Sequence, residues 1–143
     1  MSRAILLGLT KAAQSGRVCL LLWSEVMNAA VRPMTPRGLM PRPRDLGMTP
    51  EQVEGLRSRA VLEIGEIHLM DKSVSRPTHP EDRVVSFVKP TGASISPEAF
   101  ASLVCPRVYG DMRRLFAGVE SDKKGNLSVP AGQMQTQSAG YIR

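Results

Sequence analysis

Ala4-Ile5-Leu6-Leu7-Gly8-Leu9 and Val18-Cys19-Leu20-Leu21-Leu22-Trp23 are the two apolar runs of the N-terminal third, and their reading decides the fold class. At 3.6 residues per turn, Ile5, Leu9, Ala12, Cys19, Leu20 and Trp23 fall within an arc of about 100°, with Arg3, Lys11 and Arg17 opposite. Leu6, Leu7, Leu21 and Leu22 lie off that arc. The pattern predicts a helical segment over 1–31, with helices at Ser2–Gln14 and Gly16–Val31 broken near Ser15-Gly16. Its first acid is Glu25, and before it stand only basic and hydroxyl side chains among the polar residues apart from Gln14. A basic, amphipathic, acid-poor start has the composition of a mitochondrial import sequence. Here it is expected to stay attached, without a cleaved presequence, and to pack as well as target. Val18–Val31 as a helix is about 21 Å long, too short for a membrane span. Extending it back brings in Lys11 and Arg17, which are costly at mid-bilayer. An interfacial helix facing anionic lipid headgroups is the membrane-associated alternative.

The next stretch, 32–49, predicts an extended arm. Residues 32–44 hold Arg32, Arg37, Arg42 and Arg44 with Pro33, Pro36, Pro41 and Pro43, and no acid. Each proline removes a donor and biases its predecessor away from helix, so neither a helix nor a central strand is expected. The four guanidinium groups are the candidate partner-binding residues, because such forks fit carboxylates, phosphates and carbonyls. An acidic groove on a neighbouring protein is the preferred target. RNA is a weaker one, since no aromatic side chains interleave for base stacking. A plain basic linker is the bland alternative.

Residues 50–121 read as a helical body. Thr49-Pro50-Glu51-Gln52 has the cap, the first-turn proline and the capping-box glutamine of a helix start. Val53, Leu56, Ala60, Ile64 and Ile67 then share one helical face, predicting a helix from about Pro50 to Met70. Val61–Ile67 is partly ambiguous with a strand, and Gly65 weakens the helix. Asp71–Arg83 reads as an irregular loop, and Val84–Val88 as one short strand. Ser96-Pro97-Glu98 starts a second helix, and an amphipathic helix is expected over Pro106–Glu120. The last segment, 122–143, reads as an extended tail that, with the arm, is expected to bind neighbouring subunits.

No constellation of catalytic or metal-binding residues stands out. Glu63, Glu66 and His68 do not share a helical face and lack further ligands at metal spacing. His79 with Glu81 and Asp82 has no nucleophile or anion hole beside it. Cys105 reads as a small buried hydrophobe. Asp122–Val129 has a lysine and a leucine where a calcium loop needs a ligand and a glycine. Cys19 and Cys105 are 86 residues apart, which makes no disulfide framework.

The chain has 143 residues and a net charge of +6. Residues 1–50 carry +5 of it, from seven basic and two acidic side chains. That asymmetry points to an arm facing something acidic, or a targeting segment, rather than a nucleic-acid coat. Aromatics make up 4% and prolines number 11, which argues against one dense core throughout. The reading is therefore a mainly α chain: a few amphipathic helices joined by long extended or irregular segments, with no independent compact enzyme fold. The expected function is a non-catalytic accessory or scaffold subunit of a large assembly, foremost a mitochondrial respiratory-chain or ATP-synthase complex, at the inner membrane or in the matrix. The alternatives are a mitochondrial ribosomal protein meeting rRNA and a filament-lining, microtubule-associated protein. The expected partners are other protein subunits and secondarily lipid headgroups; no cofactor, metal or small-molecule substrate is expected.

Overall fold

The computed structural model describes residues 1–12, 14–75, 79–105, 108–109, 118–129 and 141–142. It overturns the mainly α expectation. The described chain is mostly β, built on a curled seven-stranded sheet, with only two short α-helices.

The two N-terminal apolar runs are strands. β1 spans Ser2–Lys11, β2 Val18–Ser24 and β3 Ala29–Met34, joined as successive antiparallel hairpins. Ala4, Leu6, Val18, Leu20, Leu22 and Val31 point into the core, while Ile5 pairs with Trp23 on the other face. Ile5 and Trp23 are themselves buried. Both faces are therefore apolar, so the period-two alternation of a half-exposed strand is absent and a helical wheel finds a false stripe. Leu7 is a bulge residue: the β1–β2 register slips between Leu6 and Gly8, and Arg59 N–H donates to Leu6 O at 2.9 Å.

The arginine-proline segment is not an extended arm, and its start is a strand in the middle of the sheet. β3 pairs antiparallel with β2 through Val31, then parallel with β6 (Asp82–Val85) from Arg32 to Met34. Arg32 N–H donates toward β6, to Glu81 O at 2.8 Å. Strand alternation then turns the Pro33 nitrogen to the opposite side, where the pairing with β2 has already ended. Its missing N–H therefore breaks no ladder bond. The following turn is closed by Thr35, whose N–H donates to Leu39 O at 2.8 Å while Gly38 N–H donates back to Thr35 O at 2.9 Å. Gly38 has φ +79°, a conformation natural for glycine.

A helical crossover, Thr35–Arg59, links β3 to β4. It holds a 3₁₀ turn, Pro43–Leu46, and α1, Pro50–Glu54. The expected capping box is present: Gln52 N–H donates to Thr49 Oγ1 at 3.2 Å, and Thr49 N–H donates to Gln52 Oε1 at 2.8 Å. The helix stops at Gly55 instead of running to Met70. Beyond it the β-branched run wins: β4 is Ala60–Ile64 and β5 is Ile67–Leu69. Thr49→Ala is expected to cost about 1 kcal/mol, read as a lower urea midpoint at unchanged slope. No measurable loss would mean that packing of Val53 and Leu56 alone holds the helix.

The single strand expected at 84–88 is divided between β6 and β7, Val88–Ser94. The register explains how the sheet curls. Leu69↔Arg83, His68↔Val84 and Ile67↔Val85 run without a slip into Ile64↔Val88, Glu63↔Lys89 and Leu62↔Pro90. Across the gap, Gly65 N–H donates to Phe87 O at 3.0 Å and Ser86 N–H to Glu66 O at 3.1 Å. So β4–β5 and β6–β7 are two kinked strands of one antiparallel ladder. One of them flanks β1 through β4, and the other flanks β3 through β6. The sheet order β5-β6-β3-β2-β1-β4-β7 is thereby drawn round into a small barrel. Leu62, Ile64, Val85 and Val88 join the strand residues inside it, and Leu46, Met48, Val53 and Leu56 of the crossover complete the core.

α2, Pro97–Val104, starts as expected, with Ala99 N–H donating to Ser96 Oγ at 3.0 Å. Cys105, expected to be buried, is exposed. The helix expected over Pro106–Glu120 lies mostly outside the described residues; Val108–Tyr109 within it is a strand, β8. β9 (Glu120–Ser121) and β10 (Leu127–Ser128) form a small hairpin, and β11 (Tyr141–Ile142) pairs parallel with β8. The rest of the expected tail, 130–140 and 143, is also outside the described residues. The Asp122 carboxylate organises the hairpin turn. It accepts the Asn126 N–H at 2.9 Å and Nδ2 at 3.0 Å, and the Lys124 N–H at 2.8 Å. Those bonds, the Asn126 ones foremost, hold it below its ordinary 3.8.

Candidate functional site at the open end of the barrel

The two ends of the barrel differ. At the Lys11 end of β1 the crossover closes the core. Val18 N–H donates to Pro41 O at 2.8 Å, Arg17 Nη1 to Met40 O at 2.6 Å, and Lys11 pairs with Glu54 of α1 at 2.6 Å. At the Ser2 end no segment among the described residues covers the core in the same way. There Met1 and Ser2, the β2–β3 turn residues Val26 and Met27, and Gly65, Glu66, Ile67, Leu69 and Arg83 line an open cavity of about 540 Å³. Met1, Val26 and Leu69 are 87%, 69% and 77% exposed, so the rim presents apolar side chains to solvent. Turns are usually polar; Val26-Met27 at a hairpin tip is the signal in the sequence that could have marked this mouth.

Local bonding fixes the rim. The turn Glu25–Asn28 is held by buried Ser24, whose Oγ accepts the Met27 N–H at 3.2 Å, and Asn28 sits at φ 51°. Beside it, Arg3 and Glu25 form an exposed ion pair at 3.0 Å. On the opposite lip, His68 Nε2 lies 3.1 Å from Glu66 Oε2, both well exposed.

The four arginines singled out from the sequence do not form one site. Arg32 lies in the barrel wall, its Nε 2.6 Å from Asp82 Oδ1, with 16% of its side chain exposed and 4% of that of Asp82. Burial works against its charge, but the hydrogen bond and charge of Asp82 help to outweigh that and hold Arg32 above the ordinary guanidinium range. Arg37, Arg42 and Arg44 lie on the crossover, at the closed end. Arg37 and Arg44 are exposed, and Arg42 donates its N–H to Asp45 Oδ2 at 2.8 Å. None of these three is in an ion pair among the described residues.

No protein-family model, curated protein or solved structure matches the chain.

The other residues weighed from the sequence have structural places. Glu63 stands opposite Lys89 across the ladder. Glu81 is buried and its carbonyl receives Arg32 N–H; Asp82 N–H donates to His79 O at 3.2 Å. Among the described residues no group of three His, Cys, Asp or Glu side chains is placed to hold a metal ion. No helix among them is long and apolar enough to cross a membrane.

Proposed function

We propose that the protein is a non-catalytic docking module of a larger protein assembly, and that it binds a neighbouring subunit through the apolar mouth of its barrel. The observation that carries this reading is the exposed rim of Met1, Val26, Met27 and Leu69 around an open cavity at the one barrel end that the crossover leaves uncovered. Exposed apolar groups gathered at one place, with charged groups at the edge, are how protein interfaces are built. Glu66, Arg83 and the Arg3–Glu25 pair supply that charged edge here. The compositional argument for a mitochondrial host rested on a helix over 2–14. Ser2–Lys11 form the strand β1, so the proposal is made without that argument.

A second reading has its own observation. A barrel in the order β1-β2-β3-(β6–β7)-(β4–β5), with a helix between the third and fourth strands, has the plan of an OB-type barrel, a fold that often holds oligonucleotides. The exposed Arg37 and Arg44 on the crossover suit phosphates. This is an analogy of fold. Of the aromatic side chains whose burial is described, none is fully exposed for stacking: Trp23 is 8% exposed, and Phe87 and Phe100 are half-buried.

The test is affinity purification of the tagged chain from its native source, beside a Val26→Asp/Leu69→Asp variant. The expected result is a stoichiometric protein neighbour that the variant loses while its urea midpoint stays unchanged. A neighbour retained by the variant, or a wild-type chain that elutes alone, would remove the proposal. RNA recovered with both forms, and released steeply by salt, would put the second reading in its place.

A further inference from the structure

The mouth has one lip made of a strand edge. β5 stands at the end of the sheet order and pairs only with β6 among the described residues. The strand that flanks β4 on its other side, β1, ends its pairing at Ser2↔Ile64. Among the described residues the ladder therefore has a slot past Ile64, in line with β1, between β5 and the β2–β3 turn. The bonding phase shifts by one residue at the kink, where Gly65 N–H donates to Phe87 O and Ser86 N–H to Glu66 O; past it Glu66 and, two residues on, His68 turn their backbone groups toward β6, as Val84, the partner of His68, does toward β5. Alternation turns the N–H and C=O of Ile67 and Leu69 into the slot.

The other terminal strand shows the contrast. β7 carries Lys89, Pro90 and a bulge: two pairings that are two residues apart on β4, Ala60↔Ser94 and Leu62↔Pro90, are four apart on β7. Within that bulge Thr91 Oγ1 donates to Val61 O at 2.7 Å and accepts Ala93 N–H at 3.2 Å. Lysine, proline and bulges are the devices that stop a strand edge from recruiting another strand. The β5 edge, Ile67-His68-Leu69, has none of them and faces an apolar rim.

We infer that β5 accepts an extended peptide segment of the partner as an added strand, in line with β1 and antiparallel to β5, with apolar side chains at alternate positions. This rests on the docking reading and gives it a mode. Backbone bonds to Ile67 and Leu69 supply the affinity, and Val26, Met27 and Leu69 select apolar side chains on the facing side.

The probe is a synthetic seven-residue peptide of alternating valine and threonine, added to the ¹⁵N-labelled full chain and followed by NMR. Amide shifts are expected at Ile67, Leu69, Val26 and Met27. The same peptide, N-methylated at the alternate residues that face β5, keeps its side chains and loses its donors. It is expected to bind at least about tenfold more weakly, for roughly two hydrogen bonds lost. Leu69→Pro removes the protein's donor and is expected to weaken the unmethylated peptide similarly; N-methylation of the peptide makes the same test without touching the protein's fold. Equal binding of the two peptides would overturn strand addition while leaving apolar docking intact, and so would the absence of shifts at Ile67 and Leu69 with either peptide. Retention of the natural neighbour by the Val26→Asp/Leu69→Asp variant would instead remove the docking reading.

Discussion

Asp82→Ala lowers the unfolding free energy by about 3 kcal/mol, the lower end of the range for breaking a buried ion pair. The guanidinium of Arg32 would be left in the barrel wall without its carboxylate, which sits 2.6 Å away and is 4% exposed. The lower end applies because Arg32 keeps 16% of its side chain open to water and can turn outward. The pair also has a structural position that surface pairs lack. Arg32 and Asp82 are register partners in the parallel β3–β6 pairing, which joins the β1–β2–β3 meander to the kinked ladder. Removing both charges with Arg32→Met/Asp82→Leu is expected to recover most of the loss, since a hydrophobic pair can replace a buried ion pair. Urea unfolding followed by circular dichroism measures both. A loss below about 1 kcal/mol for Asp82→Ala would class the pair with exposed salt bridges and would free Arg32 for the partner-binding role read from the sequence.

What could be read ahead of the structure divides by range of interaction. The cap at Thr49-Pro50-Glu51-Gln52 and the start at Ser96-Pro97-Glu98 are local hydrogen-bond devices, and both appear as read. Where those helices end, and what the apolar runs become, is decided by partners far away in the chain. Ala60–Ile64 is a strand because β1 and β7 pair with it on both sides, and neither is within helical reach. The N-terminal runs hide their alternation because Ile5, Leu21 and Trp23 make the outer face of β1 and β2 as apolar as the inner one. Pro33 is incompatible with a central strand only where that strand keeps one neighbour along its whole length. β3 changes neighbours at Arg32, and the proline sits where one ladder has stopped. Of the candidate site, the arginines were visible as a group, but their grouping in sequence scattered in space. The mouth was legible only as a misplaced pair, Val26-Met27, in a turn.

Gly65→Ala is the second large effect, and it tests the barrel closure itself. Gly65 lies at the kink between β4 and β5, where Ser86 and Phe87 form the opposing kink between β6 and β7. A Cβ on residue 65 would fall against Ser86 Oγ and within 2.7 and 2.8 Å of the Phe87 ring carbons Cδ1 and Cε1. Ser86 is exposed and can rotate away. The ring is half-buried, and its backbone carbonyl is tied to Gly65 N–H at 3.0 Å, so it cannot retreat without stretching the ladder. Overpacking of this kind costs about 1–3 kcal/mol; Gly65→Val should reach the top of that range, because a branched side chain meets the ring whichever way it turns. Phe87→Ala opens the space, so the penalty of Gly65→Ala is expected to shrink by more than half in the double variant, a coupling that only direct contact produces. Ser86→Ala should leave it nearly unchanged. Additive effects of Gly65→Ala and Phe87→Ala would mean that the two kinks do not abut. The continuous register from Leu69↔Arg83 to Leu62↔Pro90, and the barrel drawn from it, would then have to be given up.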